Sequence, residues 1–139
     1  MNMWILRSLA LGGLFFVSAC SILSPKAEYI PEEEELKAAT VGTPYFFKID
    51  ILGGPVIGQS TSLIIMPNDT GIFLRNCQME KWRITKKTKD THDYNCVEIY
   101  GTPTKIGVMK ITLSGGMYGS MIAPASEFSK EYKLNVTQP

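Results

Sequence analysis

Residues 40–139 predict an all-β sandwich of about seven strands, and three observations carry that prediction. Apolar and polar residues alternate over short runs, the pattern of a half-buried strand. Clusters of Gly, Pro, Asn and Asp separate the runs at intervals of 10 to 15 residues, a spacing found in sandwiches and barrels. Glycine or proline recurs through most of the domain outside 72–100, which disfavours helix, and no convincing amphipathic helix lies between the runs. A small closed barrel, SH3-like or lipocalin-like, is the architectural alternative.

Taken in order, the first run is "TPYFFKIDIL", with Phe47, Ile49 and Ile51 on one side and Lys48 and Asp50 on the other. "GGPVIG" ends it. "STSLIIM" is a β-branched, apolar strand closed by "PNDTG", a strong turn signal. "IFLRNC" follows, then "EKWRITKKT", where Trp82, Ile84 and Lys86 would share one face. "KDTHD", which holds the chain's only histidine, His92, turns the chain. "NCVEIYG" sets Val97 and Ile99 against Glu98. "GTPTKIG" turns it once more, and "VMKITLS" and "KEYKLNV" finish. The corner at 101–104 has a mechanism: Thr102 is pushed to extended geometry by the proline after it. Pro103 fixes its own φ, and Gly101 permits close approach.

The amino terminus reads differently. "MNMWILR" carries the α-amino group and Arg7, and sixteen uncharged residues run from there through Leu23. A membrane-spanning helix wants about 20 apolar residues, so a charged start and short apolar run read as an export leader. Val17-Ser18-Ala19-Cys20 resembles the bacterial lipobox, an aliphatic and two small residues ahead of a cysteine. The resemblance implies a leader over 1–19, a diacylglycerol on the Cys20 thiol, and an acylated new amine. Two or more chains are what stable lipid anchoring requires. Ser21, rather than aspartate, follows the cysteine, and the resemblance then implies the outer membrane as destination.

Residues 20–39, "CSILSPKAEYIPEEEELKAA", predict a lipidated tether. Four consecutive carboxylates, Glu32 to Glu35, favour an extended, solvated chain, and Pro25 and Pro31 oppose helix. The expected role is a flexible spacer; a short helix over 32–39 is the alternative. Residues 40–139 are then the single folded domain, long enough to bury a core.

With Arg7 lost, thirteen basic side chains face thirteen acidic ones, so the chain lacks the footprint of a nucleic-acid binder. The run 86–90, "KKTKD", is local and flanked by Glu80, Asp90 and Asp93. Cys77 and Cys96 are an even pair with eighteen residues between them, expected to form a disulfide in an exported chain. Metal ligation wants clustered partners, and His92 stands alone, so no metal and no cofactor is expected. A nucleophilic hydrolase needs a base within reach of the nucleophile, and no Gly-x-Ser-x-Gly elbow occurs. The reading is a non-enzyme.

Residues 39–50, "ATVGTPYFFKID", resemble the opening of bacterial immunoglobulin-like repeats, which begin small-Val-Gly-x-Pro-Tyr. "IYGTPTKIGVMKITL", residues 99–113, is similar to their Gly-Thr-Pro-Thr turn and the strand after it, and "EFSKEYKLNV" to their last strand. "MPNDTGIFLRN" matches their central element loosely. The resemblance covers about 100 residues and implies an immunoglobulin-like β-sandwich. Cys77, Cys96 and the insertion "SGGMYGSMIAPAS" depart from the repeat pattern.

That insertion, residues 114–126, is the most informative loop, because long ordered loops between strands tend to be functional. Met117, Tyr118, Met121 and Ile122 lie in it with no charge at all, a composition suited to partner contact. It could equally fold back to cap one open end of the sandwich, or contain a short edge strand. Two functions are therefore expected. The first is an outer-membrane lipoprotein that presents its domain in the periplasm to another envelope protein, such as part of a secretion or conjugation machine. The second is a glycan- or small-ligand-binding lipoprotein, or an inhibitor of a hydrolase, with Tyr45, Trp82, Tyr94, Tyr100 and Tyr118 as stacking candidates.

Overall fold

A computed structural model of the chain describes residues 23–139. Eight strands occur in order: β1 (Glu28–Ile30), β2 (Ala39–Thr40), β3 (Tyr45–Leu52), β4 (Ser62–Met66), β5 (Ile72–Gln78), β6 (His92–Gly101), β7 (Gly107–Met117) and β8 (Ser126–Thr137). They form two four-stranded sheets, β1-β3-β6-β5 and β2-β8-β7-β4. Lettered A, A′, B, C, D, E, F and G, the sheets read A-B-E-D and A′-G-F-C. This is the strand order of a constant-type immunoglobulin sandwich with an A′ strand added, so the expected fold class is what the chain adopts.

Period-two alternation decides which side chains enter the core. Ile49 and Ile51 on β3, Ile72 on β5, and Val97 and Ile99 on β6 face inward from the first sheet. Met109, Ile111 and Leu113 on β7, and Tyr132, Leu134 and Val136 on β8, meet them from the second. The corner at 101–104 behaves as its residues require: Gly101 takes a positive φ of 118°, and Pro103 is fully buried. A Cβ on Gly101 would stand 2.1 Å from the carbonyl oxygen of Gly71.

The described part of the expected tether belongs to the sandwich. β1 pairs antiparallel with β3, and β2 pairs parallel with β8. Between them the chain passes from one sheet to the other along a shared edge. Its backbone is held there: the Leu36 N–H donates to the Lys133 carbonyl (3.0 Å), and the Lys133 N–H donates to the Glu34 carbonyl (2.8 Å). Leu36 is buried, while Glu32 to Glu35 all point to solvent. Charge repulsion did favour an extended chain, but an extended backbone with its carboxylates outward is also a ready edge strand. The domain therefore begins well before residue 40.

Other expectations are corrected as well. "EKWRITKKT" is not a strand; Lys81–Arg83 form a single 3-10 turn, and Trp82, Ile84 and Lys86 are all exposed. The outer edge of β5 is open, but the run does not pair with it; the segment only links β5 to β6, which pair directly with each other. His92 opens β6 rather than sitting in a turn. Cys77 and Cys96 are disulfide-bonded with Cα atoms 5.3 Å apart. The bond joins neighbouring strands of one sheet beside the register shift at Asn76/Cys77, whereas antibody domains link B to F across the two sheets.

Two stability measurements check this architecture. Leu36→Ala should cost about 2–5 kcal/mol in urea unfolding, as a core truncation does; a solvated spacer would show no change. Reduction of Cys77–Cys96 should cost roughly 3 kcal/mol for a loop of this size, read as a lower midpoint with the fold retained.

Candidate functional site

Four segments meet at one end of the sandwich. β1 starts there, and residues 53–61, 79–91 and 118–125 connect β3 to β4, β5 to β6 and β7 to β8. Asn95 ties the first of these in place. Its side-chain nitrogen donates to the carbonyls of Ile51 (2.9 Å) and Gly54 (2.8 Å), and its oxygen accepts from the Val56 N–H (3.0 Å). The Tyr118 N–H donates to the Pro55 carbonyl and the Ile57 N–H to the Gly116 carbonyl. Sequence reasoning passed over Asn95, a half-buried residue within β6, because nothing in its polar neighbours His92, Asp93 and Tyr94 marks one amide as a clamp.

The entering chain is locked into the same cluster. The Ser126 hydroxyl donates to the Pro25 carbonyl at 2.5 Å. Gly53, with φ 107°, lies so close beneath Lys26 that a Cβ would come within 2.0 Å of the Lys26 carbonyl oxygen. Leu23, Pro25, Tyr118, Gly119, Ser120 and Ala123 share one cavity of about 250 Å³.

The loop residues singled out from sequence divide. Met117 is the last residue of β7 and fully buried in the core, so it is not a partner-binding residue. The strand runs through Gly115 and Gly116, and its alternation turns Met117 inward. Tyr118, Met121 and Ile122 are exposed, at 56%, 103% and 75% of their surface. Only Ala123 folds back to be buried; the loop tip does not cap the core. Cys20 and Val17 to Ala19 lie outside the described residues.

The connection 79–91 holds a second exposed aromatic. Trp82 is 79% exposed, and its indole N–H donates to Glu80. Arg83 pairs with Asp93 at 3.2 Å. The loop's far end is fastened by Asp90, which accepts from the Tyr94 hydroxyl, and from the His92 backbone N–H at 3.0 Å. The Tyr94 ring in turn lies against Gly58, where a Cβ would stand 2.6 Å from it.

Elsewhere, on the outer face of the first sheet, Phe46 and Phe73 both lie opposite Tyr100 across neighbouring strands. The two phenylalanines are 61% and 52% exposed. Phe73 and Tyr100 have ring centroids 5.8 Å apart, and the Arg75 guanidinium sits 4.0 Å above the Tyr100 ring while bonding Glu98 at 2.9 Å. The five aromatics read from sequence as one stacking surface are thus dispersed. Tyr45 is buried, its hydroxyl bonded to the Lys37 carbonyl at 2.8 Å, and burial pushes its pKa up to about 12. Tyr100 lies on the sheet face, away from Trp82, Tyr94 and Tyr118.

A concavity of about 550 Å³ beside Ser60, Ser114 and Gly116 has Glu127 as its one ionisable lining residue. Among the described residues no three His, Cys, Asp or Glu side chains gather as metal ligands, and no helix is long and apolar enough to cross a membrane. No protein-family model matches the chain, and no curated protein matches it.

The Asp90 contacts can be measured. The Tyr94 hydroxyl, then the His92 backbone and ring, hold its pKa near 2, below the ordinary 3.8. A depressed carboxyl stabilises the fold above its ordinary value and loses that contribution as pH falls through about 2. In a carboxyl-carbon NMR titration Asp90 should titrate near 2, and Tyr94→Phe should move it up toward 3.8.

Proposed function

We propose that this chain is a lipid-anchored, immunoglobulin-like binding module of the bacterial outer membrane, tethered through Cys20, that holds another envelope protein without catalysing a reaction. The observation that carries this reading is the aromatic row Phe46–Tyr100–Phe73 on an open sheet face. Two half-exposed phenylalanines side by side leave apolar area in water that a partner would cover, and aromatic and arginine side chains are the usual energetic centres of interfaces. Lys48, Glu98 and Arg75 form the next row, a polar rim for orientation. The row lies at the Gly101 end of the strands, remote from the entering chain.

The expected lipid site supports the location, and the disulfide suits an oxidising compartment. The glycan-binding alternative has less behind it, since Tyr45 is buried and Tyr100 lies on a different face from Trp82, Tyr94 and Tyr118.

Crosslinking in the native envelope tests the reading. A photoreactive residue at position 73 should give a discrete protein adduct, whereas one at Glu131, on the outer face of the other sheet, should not. Phe46→Ser with a probe at 73 should lose the adduct while leaving stability within about 0.5 kcal/mol, as exposed substitutions do. Equal adducts from both faces, or none from position 73, would remove this surface from the proposal.

A further inference from the structure

We infer that the end of the sandwich carrying residues 118–125 and 79–91 is a foot that rests on, and inserts side chains into, the phospholipid leaflet holding the anchor. This rests on the reading of Cys20 as lipid-bearing.

The chain is packed against the domain from Pro25 onward, and Leu23 already lines a cavity with Tyr118 and Ala123. Three residue steps separate Leu23 from Cys20. Fully extended, they reach at most about 11 Å. A sulfur carrying acyl chains thus cannot be far from the 118–125 loop, and the domain has no long leash on which to stand away from the lipid. The surface brought to the leaflet is suited to it. Met121 projects fully and Ile122 largely from the tip with Tyr118 at its base, and no charged residue lies between Tyr118 and Ala125.

The neighbouring connection adds the features of an interfacial segment. Trp82 and Ile84 are exposed, and tryptophan and tyrosine favour the headgroup level of bilayers. Lys81, Lys86, Lys87 and Lys89 are exposed and make no ion pair among the described residues. Lysines beside inserted apolar groups are attracted to anionic headgroups. Charge, apolar tip and the short reach to the anchor therefore select one occupant, a phospholipid surface with an anionic fraction, over a protein partner at this end.

Tryptophan fluorescence of the full-length product purified from its native envelope tests the inference. Cleavage of the leader removes Trp4 and leaves Trp82 as the only tryptophan. Intact mass first reads the state of Cys20. The protein is then placed in vesicles of zwitterionic lipid containing an anionic fraction, with and without bromine on the acyl chains. Bromine should quench Trp82, and the double variant Met121→Asp, Ile122→Asp should lose most of that quenching while keeping the fold. Acylated protein whose Trp82 is equally bright in both vesicles overturns the foot and leaves the anchor standing. Quenching unchanged in the double variant overturns the insertion of the 118–125 tip. A bare Cys20 thiol overturns the anchor itself, and the foot with it.

Discussion

The arrangement of this molecule depends on where the backbone of residues 25–40 finds its hydrogen-bond partners. Those partners are on the sandwich: β3 on one sheet and β8, including its Lys133, on the other. An unpaired edge strand invites pairing with another chain, and this segment covers the outer edges of both β3 and β8. It also leaves the described chain no free span between Pro25 and the domain. A chain of four glutamates could have been a spacer; its carbonyls and amides, rather than its carboxylates, decided that it is not.

From that attachment the two ends of the sandwich acquire different characters. At the end where the chain enters, Asn95 and Ser126 knit the connections into a fixed platform. The disulfide closes the base of the 79–91 connection, so a segment with only a single 3-10 turn is still held at both sides. Along the first sheet, the aromatic row with its charged neighbours occupies the open face toward the other end. Apolar side chains remain exposed in both places because neither is backed by a second layer, and the two patches are far enough apart along the strands to serve different surfaces.

The legible part of the fold was whatever alternation could express. Six of the seven expected strands appear, and Phe47, Ile49, Ile51, Val97 and Ile99 face as their period-two pattern requires. Residues 80–88 misled because Trp82, Ile84 and Lys86 alternate without pairing to any strand; periodicity reports a face, not a partner. β1 and β2 escaped notice for the opposite reason, being too short for any pattern and stabilised by long-range pairing. In the loop, Gly115 and Gly116 looked like turn residues. They are strand residues where a side chain would crowd Phe128 and Ile57, at 3.2 Å and 3.3 Å. Met117 was consequently assigned to the surface when it belongs to the core. Tyr118, Met121 and Ile122 were legible as exposed and uncharged, but what they face could not be read without knowing which end of the domain the chain enters.

Net charge hides a related asymmetry. The expected mature chain sums to zero, yet residues 79–91 carry five cations and two carboxylates, while 28–35 carry five carboxylates and no cation. In the fold these segments separate: Glu32 to Glu35 run outward-facing beside β8 near Lys130 and Lys133, and the cations sit on the β5–β6 connection at the entering end. A neutral protein with its charge divided in this way is oriented by an anionic surface even though it is not drawn strongly to one. Electrostatics of that kind cannot hold a domain on a membrane, because the attraction falls away within a Debye length. On the proposed reading, a lipid at Cys20 would do the holding, and the charge would only favour the end at which the chain enters the sandwich.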